Sequence, residues 1–157
     1  MVTGGGSGIG RASALALAAE GAIVTVAGRT QDTLKEMRRI EAAGGTARFV
    51  LTDISRGPDV DRAVDKAAVI SMTKSTALEA AAHGIRVNAV APGLVETPVI
   101  ASMDPDTDPM KSIIAAHPMG RIARAEKIAD AVVRLSSKRS SFVTGAVIPV
   151  DGGYTVP

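Results

Sequence analysis

The chain has 157 residues, of which 46% are apolar and 22% charged, with a formal net charge of +2. This length and balance predict a single globular domain, 1–157, of an ordinary soluble protein. No basic run is long enough to follow a phosphate backbone, so we expect no nucleic-acid partner. The absence of cysteine excludes disulfides and thiolate metal sites, and two isolated histidines predict no metal centre.

No apolar stretch approaches the ~20 residues that cross a bilayer, and no signal peptide is recognisable. The expectation is therefore a cytoplasmic protein that does not associate with membranes.

Segments with strand and helix character alternate along the chain. The predicted strands are rich in β-branched residues and cover 1–3, 22–27, 47–53, 85–92 and 144–153. The predicted helices have apolar residues at helical spacing and cover 11–20, 31–43, about 58–83, and 126–137. The segment that follows the strand 85–92, to about Pro118, is predicted as a Pro- and Asp-rich loop. Alternation of this kind predicts a parallel α/β sheet with helices on both faces.

A glycine-rich turn, TGGGSGIG, connects the first predicted strand to the first helix at Thr3 to Gly10. Glycines there permit positive φ and let backbone N–H groups approach a pyrophosphate, whose charge a helix N-terminus favours. The G-x-G-x-x-G pattern is incomplete, because its third position falls on Ile9, Arg11 or Ser13. An ordinary turn is the alternative, but the order strand–turn–helix favours dinucleotide binding.

The end of the second strand bears on the choice between NAD and NADP. An acidic residue at this position accepts hydrogen bonds from the ribose hydroxyls of NAD. Here the sequence reads Gly28-Arg29-Thr30, without an acid. Arg29 is suited to a 2′-phosphate, which favours NADP(H), with NAD(H) as the alternative. A solvated surface arginine would explain the same residue.

Several motifs then occur together in order: TGGGSGIG, Asp53-Ile54, KAAVISMTKSTALE, IRVNAVAPGLVETP and VTGAVIPVDGGY. Together they resemble the short-chain dehydrogenase/reductase family, of the type that includes oxoacyl reductases. The resemblance covers nearly the whole chain. It implies a Rossmann-like fold and an oxidoreductase that uses NAD(P)(H) on a small-molecule carbonyl or alcohol.

The resemblance also implies where the cofactor binds. By their positions in the family's motifs, the implied cofactor-binding residues are Thr3, Gly4, Gly8, Ile9, Gly10, Arg29, Asp53, Ile54, Lys66, Pro92, Gly93, Val95 and Thr97. Asp53 and Ile54 correspond to the pair that contacts adenine, and 92–97 to the loop around the nicotinamide. The segment 98–118 corresponds to the variable substrate lid, whose methionines and isoleucines suit an apolar pocket or ordinary core packing.

Lys66 resembles the catalytic lysine of the family's Tyr-x-x-x-Lys motif. There the lysine cation makes the ionised form of the tyrosine, whose free pKa is ~10, accessible near neutral pH. Four residues before Lys66 stands Arg62, whose guanidinium cannot donate that proton. The family's catalytic serine and its Asn-Asn-Ala-Gly strand have no counterpart either. Lys66 is thus the only catalytic residue that the motif assigns.

The spacing predicts an internal gap. Asp53 and Lys66 lie 13 positions apart, whereas two βα units need roughly 60 residues. The predicted junction, here called the seam, lies near 64–66 inside one fused helix. The expected fold is a shortened, doubly wound parallel sheet of about five strands in the order 3-2-1-4-5. Loss of one helix of the family's dimer interface predicts an altered homo-oligomer, with exchanged segments as one form.

Two functions remain open at this point. One is an NAD(P)(H)-dependent oxidoreductase that prefers NADP(H), with poor turnover for want of the tyrosine and serine. The other is a catalytically silent dinucleotide-binding or assembly module, derived from that family by truncation or engineering.

Overall fold

Parallel strands alternate with helices through the chain. The computed structural model describes residues 2–28, 31–51 and 62–156. Its helices are α1 (Gly8–Ala19), α2 (Gln31–Ala42), α3 (Arg62–Ala81), α4 (Pro98–Ala101), α5 (Asp108–Ala115) and α6 (Ala125–Ser136). Its strands are β1 (Val2–Thr3), β2 (Ile23–Gly28), β3 (Thr46–Leu51), β4 (Ala89–Pro92), β5 (Val95–Glu96), β6 (Ala123–Arg124) and β7 (Val147–Val150).

Residues 2–51, here called the N-terminal region, form a βαβαβ unit. The strands pair in parallel in the order β1-β2-β3, with Val2 opposite Val26 and Ile23 opposite Thr46. The helices α1 and α2 pack on these strands. The buried core consists of Ala14, Ala18, Val24, Val26, Ile40 and Ala47. These small side chains allow the close packing of helix on sheet that the unit requires.

Residues 62–156, here called the C-terminal region, contain a second parallel pair, β4-β7, with Ala89 opposite Val147. The short strands β5 and β6 form a separate pair. Both α6 and α3 pack on β4, and each lines a cavity against this strand. Val90 and Pro92 border both cavities.

The two regions are joined mainly by the packing of α1 against α6. The orders β3-β2-β1 and β4-β7 agree with the predicted order 3-2-1-4-5. The predicted ladder between the first and fourth strands was wrong for the described residues, where β1 pairs with β2 and β4 with β7. The position of β4 is set through α6, which packs on both β4 and α1. The edges of β1 and β4 that would meet are consequently left without a strand partner among these residues.

The element boundaries differ from the predictions at two places. Helix α1 begins at Gly8, three residues before the predicted start, because Ser7 adopts the extended N-cap conformation inside the glycine turn. The predicted loop before Pro118 contains α4 and α5. Each starts with a threonine N-cap, and each has proline in its first two positions, which is a recognisable start signal.

Within the described ranges, no helix combines enough length and apolarity to cross a membrane.

Candidate functional site

The glycine-rich turn lies directly against the second strand. Gly4 and Gly8 have φ angles of 64° and 51°, a conformation that disfavours other residues. Gly5 is buried, and a Cβ added to it would overlap Cγ1 of Val26. The turn therefore depends on glycine at these positions, both for its backbone angles and for its close approach to β2.

The start of α1 is available to a negatively charged ligand. Ser7 has φ −158° and ψ 169°, and its side chain makes no capping hydrogen bond to the helix. The N–H groups of the first helical turn have no partner within a helix and are satisfied by side chains, water or a ligand. Their direction and the helix dipole suit a pyrophosphate.

The structure brings this turn next to the loop that follows β4. A Cβ added to Gly8 would lie 3.3 Å from Cγ2 of Thr97. Residues that are more than 80 positions apart in the sequence thus lie side by side beyond the carboxyl ends of β1 and β4, where ligands of open α/β sheets bind. Ile9 and Pro92 also line a cavity of about 650 Å³, whose remaining walls come from 84–90 and from α6.

The loop from Pro92 to Thr97 is fixed by its surroundings. The N–H group of Gly93 donates to the carbonyl oxygen of Val150 at 3.2 Å. Val95 is 5% exposed and pairs with Ala123, so its side chain belongs to the core. The hydroxyl of Thr97 accepts from the N–H of Ile100 at 3.5 Å and caps α4.

The lysine that the motif singles out lies near the start of α3. Lys66 is followed one turn later by Val69 and Ile70, which border a second cavity of about 580 Å³. The opposite wall of this mostly apolar cavity includes Ile113 of α5 and Tyr154. The expectation of an apolar pocket beside the segment 98–118 is consistent with this wall.

Three predicted cofactor residues, Arg29, Asp53 and Ile54, lie outside the described residues. Thr3 is in β1, opposite Ala27, at the end of the strand that leads into the glycine turn.

A buried histidine that no motif singles out holds the loop after β4. His117 is 4% exposed. Its Nε2 accepts from the N–H of Leu94 at 3.1 Å, and its Nδ1 lies 2.8 Å from the carbonyl oxygen of Ile113. The ring also stacks on Tyr154, with centroids 4.7 Å apart. A single histidine in an irregular segment gives no pattern by which the sequence could reveal this role.

Asp151 closes the turn after β7. Its carboxylate accepts from the Thr155 hydroxyl at 2.6 Å and from the N–H groups of Gly153 and Thr155 at 3.0 and 3.1 Å. These hydrogen bonds, that of the Thr155 hydroxyl above all, hold the pKa of Asp151 below its ordinary value. Across the described part of the chain, no group of three or more metal-binding side chains is present.

Two family profiles match the chain, one after the other. The profile described as "short chain dehydrogenase" matches residues 1–67. The profile described as "Enoyl-(Acyl carrier protein) reductase" matches residues 63–155.

Curated relatives include several dehydrogenases. The cis-4-hydroxycyclohexanecarboxylate dehydrogenase of Sinomonas cyclohexanicum is 41% identical over 123 residues, which are 76% of this chain and 49% of the relative. The galactitol 2-dehydrogenase of Rhizobium johnstonii is 45% identical over 92 residues, or 59% of this chain and 36% of that protein. The chain therefore spans about half, or less, of the length of these relatives.

Solved structures superpose on nearly the whole chain. A putative NAD(P)-dependent gluconate 5-dehydrogenase from Beutenbergia cavernae with bound NADP gives a TM-score of 0.88 at 27% identity, covering 99% of this chain and 96% of that one. A putative 2-deoxy-D-gluconate 3-dehydrogenase from Agrobacterium tumefaciens, also with bound NADP, gives 0.84 at 26% identity, covering 99% and 95%.

Proposed function

Because this chain belongs to the short-chain dehydrogenase/reductase family, we propose that it binds NADP(H) in the crevice between the glycine turn and the loop 92–97. The observation that carries the proposal is the approach of Gly8, at the start of α1, to Thr97, in the loop after β4. The NADP bound in two structural neighbours supports the choice of cofactor. NAD(H) is the alternative.

The residues fit such a cofactor in distinct ways. In the glycine turn, Gly5 has no room for a side chain against Val26, and Gly4 and Gly8 have the positive φ angles that favour glycine, so the bare backbone can approach a pyrophosphate. Arg29 is assigned to the 2′-phosphate, and Asp53 with Ile54 to the adenine. Lys66 is assigned to the nicotinamide ribose, and 92–97 to the carboxamide end. When bound, the cofactor supplies or accepts a hydride, and the substrate class is a small carbonyl or alcohol.

The proton that accompanies the hydride limits turnover in this chain. Arg62 precedes Lys66 by four residues, at the position where the family's tyrosine stands, and its guanidinium stays charged. Lys66 then contributes only its positive charge, without the tyrosine that completes the catalytic pair. General acid catalysis typically contributes 10²–10⁴-fold, and we expect the reaction to be slower by about that factor than in a complete enzyme.

An internal seam near 64–66, within the single domain 1–157, explains both the incomplete Tyr-x-x-x-Lys motif and the division of the chain between two family profiles. The first profile ends at residue 67, and the second begins at residue 63, so they meet inside α3. A sequence match over 49% of one relative, together with a superposition spanning 96% of another, is the result expected from a chain without an inner segment. The free edges of β1 and β4 are where the missing strands would lie.

The second candidate is a silent dinucleotide-binding or assembly module. Arg62 at the tyrosine position and the unpaired edges of β1 and β4 favour this candidate, because a bound cofactor would supply neither the tyrosine nor the missing strands. A homo-oligomer, with exchanged segments as one form, belongs to the same proposal. It is supported by exposed apolar side chains along α3, where Leu78 is 81% and Met72 66% exposed. Light scattering of the purified chain tests it, and a monodisperse monomer would contradict it.

Nucleotide binding and turnover are measured on the same samples. We expect NADPH fluorescence to report binding, and Arg29→Ala to weaken NADPH about tenfold or more while leaving NADH unchanged. Gly8→Ala should weaken binding, because its φ of 51° disfavours alanine and the new Cβ would lie 3.3 Å from Cγ2 of Thr97. Gly21→Ala is the matched control, since Gly21 also has positive φ (83°) but nothing lies within 4 Å of its Cβ position.

The outcomes separate the two candidates. NADPH binding with carbonyl reduction barely above the solution rate supports the limit on turnover. Rapid reduction that Lys66→Ala abolishes would show that the missing tyrosine is not limiting. If neither NADPH nor NADH binds, the proposed cofactor site is wrong.

A further inference from the structure

Three segments that are distant in the sequence meet at His117. They are the end of α5 with the turn after it, the loop Gly93–Leu94 after β4, and the turn 151–154 after β7. The imidazole bonds to the first two and stacks on the third through Tyr154. The N–H of Met119 donates to the carbonyl oxygen of Gly152 at 3.1 Å, so the first and third segments are also tied directly.

The hydrogen bonds determine which ring nitrogen carries the proton. The N–H of Leu94 can only donate, so Nε2 of His117 must accept. The carbonyl oxygen of Ile113 can only accept, so Nδ1 must carry the proton and donate to it. The neutral imidazole is thus fully used as one donor and one acceptor between α5 and the loop after β4.

His117 also closes the space around Gly93. A Cβ added to Gly93 would lie 2.8 Å from Cα of Asp151 and 2.9 Å from Nε2 of His117. Because His117 is 4% exposed, its ring cannot turn away without opening the core. The peptide Gly93–Leu94 therefore has one position as long as His117 keeps its two hydrogen bonds.

We propose that His117 is a positioning residue that transmits the position of the lid helix α5 to the nicotinamide half of the cofactor site. Its ring orders the peptide Gly93–Leu94, and that peptide starts the loop 92–97. The glycine turn, assigned to the pyrophosphate, takes no part in the hydrogen bonds and stacking of His117. The inference rests on the proposed function for its ligand effect, but the ordering of the peptide does not depend on a ligand.

The variant His117→Phe tests it, because phenylalanine keeps an aromatic ring against Tyr154 and removes both hydrogen bonds. In the ligand-free protein, amide hydrogen exchange at Leu94 should quicken by about tenfold or more, the factor expected for one lost hydrogen bond. Exchange at Ala89, whose N–H donates to Ala146 in the β4-β7 ladder, should not change. NADPH should bind about tenfold more weakly, whereas 2′,5′-ADP, which lacks the nicotinamide, should bind as in the wild type.

Further variants separate positioning from a general loss of structure. His117→Gln offers an amide oxygen to the N–H of Leu94 and should restore part of the protection and of the NADPH affinity. Tyr154→Phe keeps the stacking, and His83→Phe makes the same change at an exposed histidine. Neither should alter exchange at Leu94 or the ratio of the two affinities.

Each outcome decides the inference. Unchanged exchange at Leu94 in His117→Phe would overturn it, as would equal weakening of NADPH and 2′,5′-ADP. If the wild-type chain binds neither ligand, the proposed function fails. Exchange at Leu94 then decides alone whether His117 orders this peptide.

Discussion

The N-terminal and C-terminal regions are stabilised by different kinds of interaction. The N-terminal region packs α1 and α2 on β1-β2-β3 around a continuous apolar core in which Val26 and Ile40 are 0% and 1% exposed. In the C-terminal region, the side chains of Arg86, Asn88 and His117 join backbone segments that are distant in the sequence. The glycine turn is thus built from local sequence pattern, whereas the loop 92–97 that lies beside it is held by hydrogen bonds to residues distant in the sequence.

Arg86 and Asn88 are two of the side chains that make these long-range hydrogen bonds. The guanidinium of Arg86 donates to the carbonyl oxygens of Leu135, Ser137 and Val143, at 2.6 to 3.3 Å, and so satisfies the end of α6. The side chain of Asn88 donates to Val143 and accepts from the N–H of Ala146. Both bind the segment that leads into β4 to the segment that leads into β7, at the amino ends of these strands.

The largest effect is expected from opening the apolar core of the N-terminal region. Ile40→Ala should lower the free energy of unfolding by about 3–4 kcal/mol, through lost burial and the cavity left behind. Ile23→Ala is the matched control, because Ile23 is 70% exposed, and it should cost less than about 0.5 kcal/mol. Urea unfolding measures both, and equal costs would contradict the claim that the core stabilises this region.

A somewhat smaller loss of unfolding free energy is expected when the hydrogen bonds of Arg86 at the end of α6 are removed. Arg86→Ala leaves three carbonyl oxygens without their charged donor and should cost about 2–3 kcal/mol. Arg86→Lys keeps the charge but not the planar guanidinium, so it should be less stable than the wild type and more stable than Arg86→Ala. Lys138→Ala, at an exposed position nearby, is the control. Wild-type stability in Arg86→Ala would refute the account of this region.

Overpacking the loop should cost about 2 kcal/mol and also impair binding. In Gly93→Ala the new methyl group meets Cα and the carbonyl oxygen of Asp151, which cannot move without displacing the chain. NADPH affinity should fall together with the melting temperature. Gly120→Ala also costs about 1 kcal/mol, because φ is 63°, but nothing lies near its Cβ and affinity should not change.

The smallest effect concerns pH. The pKa of Asp151 is lowered, first by the Thr155 hydroxyl, so the stabilisation is present above the unfolded pKa and is lost as pH falls through the folded value. The difference in melting temperature between wild type and Asp151→Asn should therefore be constant near neutrality and shrink below about pH 4. A difference that persists unchanged at pH 2 would show that the ionised carboxylate is not its source.

The sequence predicts the N-terminal region well because its signals are local. The strand at 22–27 is observed at Ile23–Gly28, and the helix at 31–43 at Gln31–Ala42. The glycine turn follows from residue type alone, since Gly4 and Gly8 need positive φ.

The C-terminal region is less predictable because its contacts join residues far apart. His117 reaches Leu94 across 23 positions, and Arg86 reaches Val143 across 57. The separation of β1 from β4 is also non-local, since α6, which follows both strands in sequence, packs against α1 and β4. The helices α4 and α5 are different, because their Thr-Pro and Thr-Asp-Pro starts were visible in the sequence.

The most direct test of the central claim is an NMR titration of the chain with NADPH that follows the amides of both regions. The proposed site predicts that Gly4 to Gly10 and Gly93 to Thr97 shift together and give one dissociation constant, because Gly8 and Thr97 bring the two segments side by side. Shifts confined to one segment, or none in either, would contradict a shared cofactor site.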